Sequence, residues 1–261
     1  MRCILTACLL TLPTLPAAAP AADDASLTAQ QIVDKSLEHN SFGFENAIAK
    51  ITLTLSSKRG SDRVREIEIR SQTKNDLSKT LVRFNAPADV AGTGFLVLEN
   101  KDREDDQYLF LPALGKVKRI TGSQKNQRFM GTDLTYADME SRNLKKSEST
   151  RHADENVGGN DAFRIESVPK NDADAPYGKT ISWIHKVSYV PLKVEFYDKE
   201  LKLLKTLKVK RLEKKEGRWV VMDSTIENVQ EQTSTHMLIN TLDLKANLGD
   251  AEFTEEKLKG G

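Results

Sequence analysis

Ile51-Thr52-Leu53-Thr54-Leu55 alternates apolar and polar side chains along the chain. This period of two predicts a β-strand with one buried face and one solvated face. The alternation returns at Ile67 and Ile69, and again at Val82 and Phe84. Residues 58–62 separate the first two runs and contain a glycine, which predicts an antiparallel hairpin.

Further candidate strands follow toward the C-terminal end of the chain. They are residues 93–99, 106–111, 116–120, 162–168, 179–185, 190–197, 201–212, 218–228 and 235–245, with 144–151 as a weaker candidate. A set on the order of a dozen strands at hairpin spacing is typical of an antiparallel sandwich or barrel. The predicted fold is therefore mainly β.

Other segments interrupt the strand pattern. Thr28 and Gln31 form a predicted capping box ahead of a single helix, which we expect to end near residues 40–43. Residues 121–143 are predicted to form a long loop that leads into a short helix near 137–142. Residues 154–161 and 171–178 are predicted loops, because they are rich in glycine, proline and polar residues.

The first 21 residues have the order of a secretory signal peptide. A positive start at Arg2 precedes an apolar run over residues 3–15, and Ala19-Pro20-Ala21 supplies small residues for cleavage. We therefore expect residues 1–21 to be removed and residues 22–261 to form one exported domain in the periplasm. A lipoprotein box ending at Cys8 is the weaker alternative, because too few residues precede that cysteine for an apolar segment.

Composition excludes several classes of function. The chain has 39 Lys and Arg against 38 Asp and Glu, and this balance gives no sign of nucleic-acid binding. Both cysteines, Cys3 and Cys8, lie in the leader, so the exported domain has no disulfide and no thiol chemistry.

No catalytic or metal-binding motif is visible. The four histidines, His39, His152, His185 and His236, have no metal-ligand spacing. Gly92-Thr93-Gly94 lacks the remainder of a phosphate-binding loop, and the acidic residues at 102–106 lack the pattern of a calcium loop. We therefore expect neither an enzyme nor a cofactor.

Two predicted strands are apolar on both faces. Phe95-Leu96-Val97-Leu98 and Tyr108-Leu109-Phe110-Leu111 are continuous rather than alternating. Such strands are found where both faces of a sheet are covered. The sequence leaves two interpretations open: protein covers both faces, or an apolar ligand occupies one of them.

Several motifs together resemble a known family. They are Phe84-x-x-Pro87 with Gly92-Thr93-Gly94-Phe95-Leu96, the run from Tyr108 to Ile120 that includes Leu-Pro-Ala-Leu-Gly-Lys-Val, Gly131-Thr132-Asp133-Leu134-Thr135-Tyr136-Ala137-Asp138, the run from Tyr189 to Tyr197, and Phe253-Thr254. In these motifs the chain resembles the LolA-like outer-membrane lipoprotein-sorting proteins of Gram-negative bacteria. It is most similar to the branch found with RND-type (MMPL) lipid exporters.

The resemblance implies a fold and a function. The fold is an incomplete, strongly curved antiparallel β-barrel around an apolar cavity, with helices and a loop acting as a lid. The function is a monomeric periplasmic carrier that ferries lipid or lipoprotein acyl chains between the inner and outer membranes. Its implied partners are an inner-membrane RND/MMPL transporter and an outer-membrane acceptor.

Two other functions remain open. One is a non-carrying accessory subunit of an RND-type exporter. The other is a hydrolase or sugar-binding enzyme, which would need carboxylates that converge in a cleft.

We expect the cavity of such a carrier to be lined by apolar side chains from many strands. These are Leu53, Leu55, Ile67, Ile69, Phe84, Phe95, Val97, Leu109, Leu111, Phe129, Met130, Trp183, Val194 and Phe196. Residues 129–136 are predicted to move and open the cavity. Lys116, Lys118 and Arg119 are candidates for contact with an anionic headgroup or a transporter, with a solvated strand edge as the alternative.

Overall fold

A computed structural model describes residues 26–38, 46–58, 60–140, 147–170 and 175–260. The predicted signal peptide, His39 and the predicted end of the first helix lie outside these residues. The fourteen strands are β1 (Asn46–Ser57), β2 (Arg63–Lys74), β3 (Leu77–Ala86), β4 (Gly94–Leu98), β5 (Asp106–Leu111), β6 (Lys116–Ile120), β7 (Ser147–Arg151), β8 (Glu155–Val157), β9 (Asn160–Pro169), β10 (Lys179–His185), β11 (Pro191–Tyr197), β12 (Leu203–Lys215), β13 (Arg218–Asn228) and β14 (Thr233–Asp243).

The helices of the described chain are few and short. They are α1 (Ala29–Glu38) and α2 (Glu255–Leu258), with 3₁₀ turns at Pro112–Leu114, Gly122–Asn126, Phe129–Gly131, Ala137–Met139 and Asp250–Glu252. The mainly β prediction is confirmed. The short helix predicted near 137–142 is a 3₁₀ turn over its first three residues, and residues 141–146 are outside the described chain.

The strands form one antiparallel sheet built from two meanders. Its order is β6-β5-β4-β3-β2-β1-β14-β13-β12-β11-β10-β9-β7, with β8 paired to β9 beside β7. The first meander runs from β1 to β6, and the second runs from β9 to β14. They join where β1 pairs with β14. The strands at the two ends of this order, β6 and β7, do not pair with each other, so the sheet is open.

Contacts made by one segment require the sheet to curve strongly. The carbonyl of Tyr136 accepts a hydrogen bond from Gln107 on β5, and Asp138, two residues later, accepts one from Lys205 on β12. Seven strand-to-strand steps separate β5 from β12. In a flat sheet these steps would span about 34 Å, at roughly 4.8 Å each. Two residues and two side chains cannot bridge that distance, so the sheet wraps around the segment.

We call the sheet face that contacts residues 121–140 the inner face. Strand register places Leu53 and Ile67 on this face together with Phe95 and Leu109. These side chains belong to the largest buried apolar cluster of the described chain. The inner face of the first meander is therefore the main core.

The outer face of β3, β4 and β5 is covered by residues 246–258, which we call the C-terminal segment. Leu81 and Leu96 pack there against Leu248, Phe253 and Leu258. Arg83 donates hydrogen bonds to the carbonyls of Leu258 and Lys257 and thereby ties the segment to β3. Protein therefore covers both faces of the doubly apolar strands, so these strands are not in themselves evidence of a ligand.

The helix α1 covers part of the second meander. Thr28 and Gln31 exchange the hydrogen bonds of the predicted capping box, at 2.8 and 3.2 Å. Ile32 and Val33 then pack against Phe163 and other side chains of β9 and β10. The loop predicted at 154–161 was wrong in part, because Glu155–Val157 forms β8 and hairpins back onto β9 through Gly158 and Gly159.

Candidate functional site

Residues 121–140 lie across the inner face, and we call them the plug. Phe129 is 1% exposed, and its ring lies 5.0 Å from that of Phe95 and 5.8 Å from that of Phe84. Tyr136 adds a second ring, 5.4 Å from Phe95. Burial in this cluster raises the pKa of Tyr136. The plug thus places two aromatic side chains onto the apolar inner face.

An apolar cavity of about 50 Å³ remains beneath the plug. It is lined by Ile51, Leu53, Ile67, Ile69, Thr80, Val82, Phe95, Val97, Phe129, Thr132, Leu134, Met139 and Met237. Six of the side chains expected to line a cavity meet here, namely Leu53, Ile67, Ile69, Phe95, Val97 and Phe129. Leu55, Phe84 and Leu109 belong to the same buried cluster, and Leu111 and Met130 pack against its margin.

Three expected lining residues lie on the second meander. Register places Val194 and Phe196 on the inner face, opposite Leu207 and Lys205 of β12, and both are half-buried. Trp183 lies on the outer face, in a cluster with Ala162 and Ile181. Its indole N–H donates to Glu155 at 2.7 Å. We therefore leave Trp183 out of the candidate site.

A buried carboxylate fastens the middle of the plug to β14. Asp133 is 3% exposed, and its Oδ2 accepts a hydrogen bond of 2.8 Å from Thr235 Oγ1. Its backbone N–H donates to the same hydroxyl at 2.9 Å. Thr233 and Arg128 also donate to its other carboxylate oxygen. Every oxygen of this buried carboxylate is thus paired, as a buried charge requires.

A buried lysine fastens the plug to the far half of the sheet. Lys205 on β12 is 3% exposed, and its Nζ donates to the carbonyl of Asp133 at 2.9 Å and to Asp138 at 3.3 Å. Asp138 also accepts a hydrogen bond of 2.7 Å from the hydroxyl of Tyr177. Burial, and then the charge of Asp138, raises the pKa of Tyr177 well above its ordinary value. Tyr177 therefore acts as a hydrogen-bond donor.

The two ends of the plug are held at the first meander. Lys125 lies 2.7 Å from Glu140 and 3.0 Å from Glu104, and Gln107 donates to the carbonyl of Tyr136 at 3.0 Å. Burial alone would lower the pKa of Lys125, but the two glutamates outweigh it and the pKa is raised. The plug is thus attached by polar contacts at its ends and at Asp133, and by apolar contacts through Phe129 and Tyr136.

The sequence did not predict that the residues making the polar contacts of the plug belong to the site. Asp133 and Asp138 lie within the Gly131–Asp138 run of the family resemblance, which was their only signal in the sequence. Their partners Thr235 and Lys205 are 102 and 67 residues away along the chain, and nothing local marks them.

The expected basic residues divide between the two faces of β6. Register places Lys116 and Lys118 on the inner face, beside Leu111 and Leu109, and both are exposed. Arg119 is on the outer face and binds Asp106. Hydrogen bonds from Arg103, Asn100 and Arg119 hold the pKa of Asp106 well below its ordinary value, although burial opposes this shift.

The described residues offer no group of three His, Cys, Asp or Glu side chains that could hold a metal ion. Over the same residues, no helix is both long and apolar enough to cross a bilayer.

An open, strongly curved antiparallel sheet whose inner face is covered by a plug defines a LolA-like fold. A LolA superfamily protein from Nitrosomonas europaea has this fold with a TM-score of 0.70, at 18% identity over 89% of this chain and 100% of that chain. A DUF1329 family protein from Desulfovibrio piger ATCC 29098 reaches a TM-score of 0.80 at 27% identity, over 88% of this chain and 99% of that one.

An outer membrane lipoprotein-sorting protein domain from Vibrio parahaemolyticus is 32% identical, with a TM-score of 0.80 over 87% of this chain and 97% of that chain. A family model with the description "-like: Uncharacterized protein" matches residues 76–260. No curated protein matches the sequence. The chain belongs to the family of the outer membrane lipoprotein-sorting protein domain.

Proposed function

We propose that the protein is a non-enzymatic carrier that binds the acyl chains of a lipid or lipoprotein between the inner face and the plug. The observation that carries this proposal is the seating of Phe129 and Tyr136. These plug side chains occupy apolar surface that belongs to the sheet, and a cavity remains beside them. An acyl chain could replace them without exposing that surface to water.

The energetics favour such an exchange over a free lipid in water. Each methylene transferred from water to an apolar environment gains about 0.8 kcal/mol. The closed cavity of about 50 Å³ is small beside the roughly 300–1,000 Å³ of ordinary ligand pockets. The plug must therefore move for an acyl chain to enter, and its polar fastenings at Asp133, Lys205 and Lys125 have to break.

The remaining parts of the proposal concern where the carrier acts. We infer that residues 22–261 form one domain in the periplasm and that it ferries acyl chains between the inner and outer membranes. An inner-membrane RND/MMPL transporter would load it, and an outer-membrane acceptor would unload it. The family relationship and the open fold support these steps.

Native mass spectrometry of the protein purified from its own periplasm tests the proposal directly. We expect a discrete added mass that matches a phospholipid or an acylated peptide. A consistently empty protein that also fails to take up a fluorescent fatty acid would contradict the carrier. It would favour the accessory-subunit alternative.

A pair of neighbouring substitutions tests the location of the acyl chain. Met237 lines the cavity, whereas Leu238 is the next residue of β14 and points to the other face, and both are half-buried. Met237→Trp should fill the cavity and weaken fatty-acid uptake about tenfold or more, equivalent to about 1.4 kcal/mol. Leu238→Trp should retain uptake. Equal uptake by the two variants would place the ligand elsewhere.

A further inference from the structure

One end of the first meander carries an exposed surface that is largely apolar and has a single charged residue, Asp89. The turn between β3 and β4 (87–93) and the turn between β5 and β6 (112–115) lie at this end, and we call them together the apolar tip. They touch each other, because a methyl group added to Gly92 would lie 3.1 Å from Pro112. Pro112, Ala113 and Leu114 are exposed, and Leu114 is 66% exposed.

The apolar tip belongs to a wider asymmetry between the two ends of the sheet. The large apolar side chains that are exposed in the described chain are Val64, Leu114, Val168, Leu201, Val229 and Val187. Strand directions place all of these except Val187 at the end that carries the tip. Exposed large apolar side chains are therefore more frequent at the end that carries the tip.

Charge adds a second asymmetry along the first meander. Lys116 and Lys118 follow the tip on β6, are exposed, and lie within ion-pair distance of no carboxylate in the described chain. The turn at the opposite end, residues 99–105, carries Glu99, Asp102, Glu104 and Asp105 against two cations. The tip and the two lysines that follow it thus carry a net positive charge despite Asp89, whereas the turn at residues 99–105 is acidic.

The turn that carries Leu114 has a defined backbone conformation. The 3₁₀ turn at Pro112–Leu114 ends at Gly115, whose φ of 59° is in the left-handed region. The N–H of Gly115 closes the turn on the carbonyls of Leu111 and Pro112, at 3.1 and 3.0 Å. Leu114 therefore lies on a hydrogen-bonded turn, and Lys116 and Lys118 follow it along the chain.

We propose that the apolar tip docks on the surface of a bilayer that contains anionic phospholipid. Leu114 would enter the apolar boundary while Lys116 and Lys118 meet lipid phosphates, a combination typical of proteins that bind membrane surfaces. Because both lysines share the inner face with Leu109 and Leu111, docking would place the acyl-chain site of the proposed carrier beside the membrane. The inference thus names a partner for the proposed function and rests on that function for its purpose.

Vesicle binding tests the docking surface. The protein, as processed by its expression host, is titrated with vesicles of phosphatidylethanolamine and phosphatidylglycerol and with vesicles of phosphatidylcholine alone. We expect binding to the anionic vesicles that weakens as salt is added. Lys116→Gln/Lys118→Gln should weaken this binding about 30-fold, from roughly 1 kcal/mol for each lysine. Leu114→Ser should weaken it about tenfold.

Matched controls distinguish vesicle binding through the tip from nonspecific vesicle binding. Val187→Ser removes a valine that is 72% exposed at the opposite end of the sheet. Lys208→Gln/Lys210→Gln removes two exposed lysines with the same spacing on β12. Both controls should bind vesicles as the wild type does. The proposal would be overturned if the wild type does not bind anionic vesicles or if the tip variants bind them normally. Either result would favour a protein as the partner of this surface.

Fatty-acid uptake from solution, measured on the same proteins, distinguishes this proposal from the carrier function. Leu114→Ser should take up fatty acid normally, because Leu114 is not among the residues that line the cavity. If the wild type takes up fatty acid but does not bind vesicles, membrane docking is refuted and the carrier function is not. If the wild type binds vesicles but does not take up fatty acid, the carrier function is refuted and membrane docking is not.

Discussion

Gly94 lies on β4 where the C-terminal segment crosses the outer face of the sheet. A Cβ at this position would lie 2.5 Å from the carbonyl oxygen of Leu258 and 2.8 Å from Leu258 Cδ1. The absence of a side chain therefore permits the close approach that buries Leu258. At the residue scale, this glycine serves packing and not the phosphate loop that its neighbours superficially resemble.

Gly94→Ala should push the C-terminal segment away from β4 and lower the free energy of unfolding by about 1–3 kcal/mol, as overpacking does. Urea unfolding measures this change. Gly249→Ala is the matched control, because no atom lies within 4 Å of the added methyl group and the backbone there is not left-handed. The control should leave stability unchanged or raise it slightly. Equal effects would contradict the packing role of Gly94.

Asp106 should make stability depend on pH. Arg103 foremost, then Asn100 and Arg119, depress its folded-state pKa, whereas the unfolded value is about 3.9. The unfolded chain therefore binds more protons in acid, and the stabilisation that is fully present above about pH 5 is lost as the pH falls below about 4.

Urea unfolding of Asp106→Asn across this pH range checks the sign. The variant should be less stable than the wild type by about 1–3 kcal/mol near neutral pH. The difference should shrink as the pH falls toward 3. Asp102→Asn removes an exposed carboxylate of the same turn and should change stability by less than about 0.5 kcal/mol. A difference that grows in acid would refute this account.

At the scale of elements, the plug contrasts with the strands that surround it. Its backbone forms 3₁₀ turns and a single bridge between Arg128 and Thr135, whereas the strands are hydrogen-bonded along their lengths. Segments with few backbone hydrogen bonds open at lower free energy than sheet strands do. The plug is therefore the element in which we expect opening, and its side-chain fastenings set the free energy of that opening.

Lys205→Met should make the plug open more often without unfolding the sheet. The variant keeps the apolar stem but removes the donors to Asp133 and Asp138. Hydrogen exchange should become faster over residues 128–139 by about tenfold or more, while β13 and β14 keep their protection.

Lys208→Met on the same strand is the control for this substitution. Its ammonium is half-exposed and pairs only with an exposed glutamate, Glu227. Plug exchange should then match the wild type, because exposed ion pairs contribute little. Equally fast exchange in both variants would show that the lysine does not fasten the plug.

At the scale of the whole molecule, the plug belongs to the stretch of chain between the two meanders. It follows β6 and precedes β7, the edge strands, and it contacts β5 on one side and β12 on the other. Displacing the plug therefore uncovers the inner face of both meanders at once. In the proposed carrier, such an opening would give a long acyl chain access to the inner face.

A reversible crosslink tests whether that opening is needed. Thr235 Oγ1 lies 2.9 Å from the backbone nitrogen of Asp133 and 2.8 Å from its carboxylate, so the two residues are adjacent. We expect Asp133→Cys/Thr235→Cys to form a disulfide between the plug and β14. Fatty-acid uptake should be lost in the oxidised protein and restored by dithiothreitol. The single variant Thr235→Cys should take up fatty acid in both conditions. Uptake by the fully crosslinked protein would refute plug opening as the route of entry.

Local patterns were sufficient to predict much of this protein. Alternation at Ile51–Leu55 and its repeats predicted antiparallel strands, because side chains of a strand point to opposite faces in turn. The capping box at Thr28 and Gln31 predicted where α1 begins, because both partners are within one helical turn. Five of the expected cavity residues lie together for the same reason, since they point to the inner face of β1, β2 or β4, namely Leu53, Ile67, Ile69, Phe95 and Val97.

Tertiary structure alone decided which surfaces are covered and how the plug is held. Phe95–Leu98 is apolar on both faces, so its sequence could not distinguish the face under the C-terminal segment from the face under the plug. Trp183 lies on the outer face because the register of β10 against β11, and not its apolar character, sets its direction. Asp133 meets Thr235, and Asp138 meets Lys205, across long stretches of chain. Such contacts depend on the curvature of the whole sheet, which no local run of residues encodes.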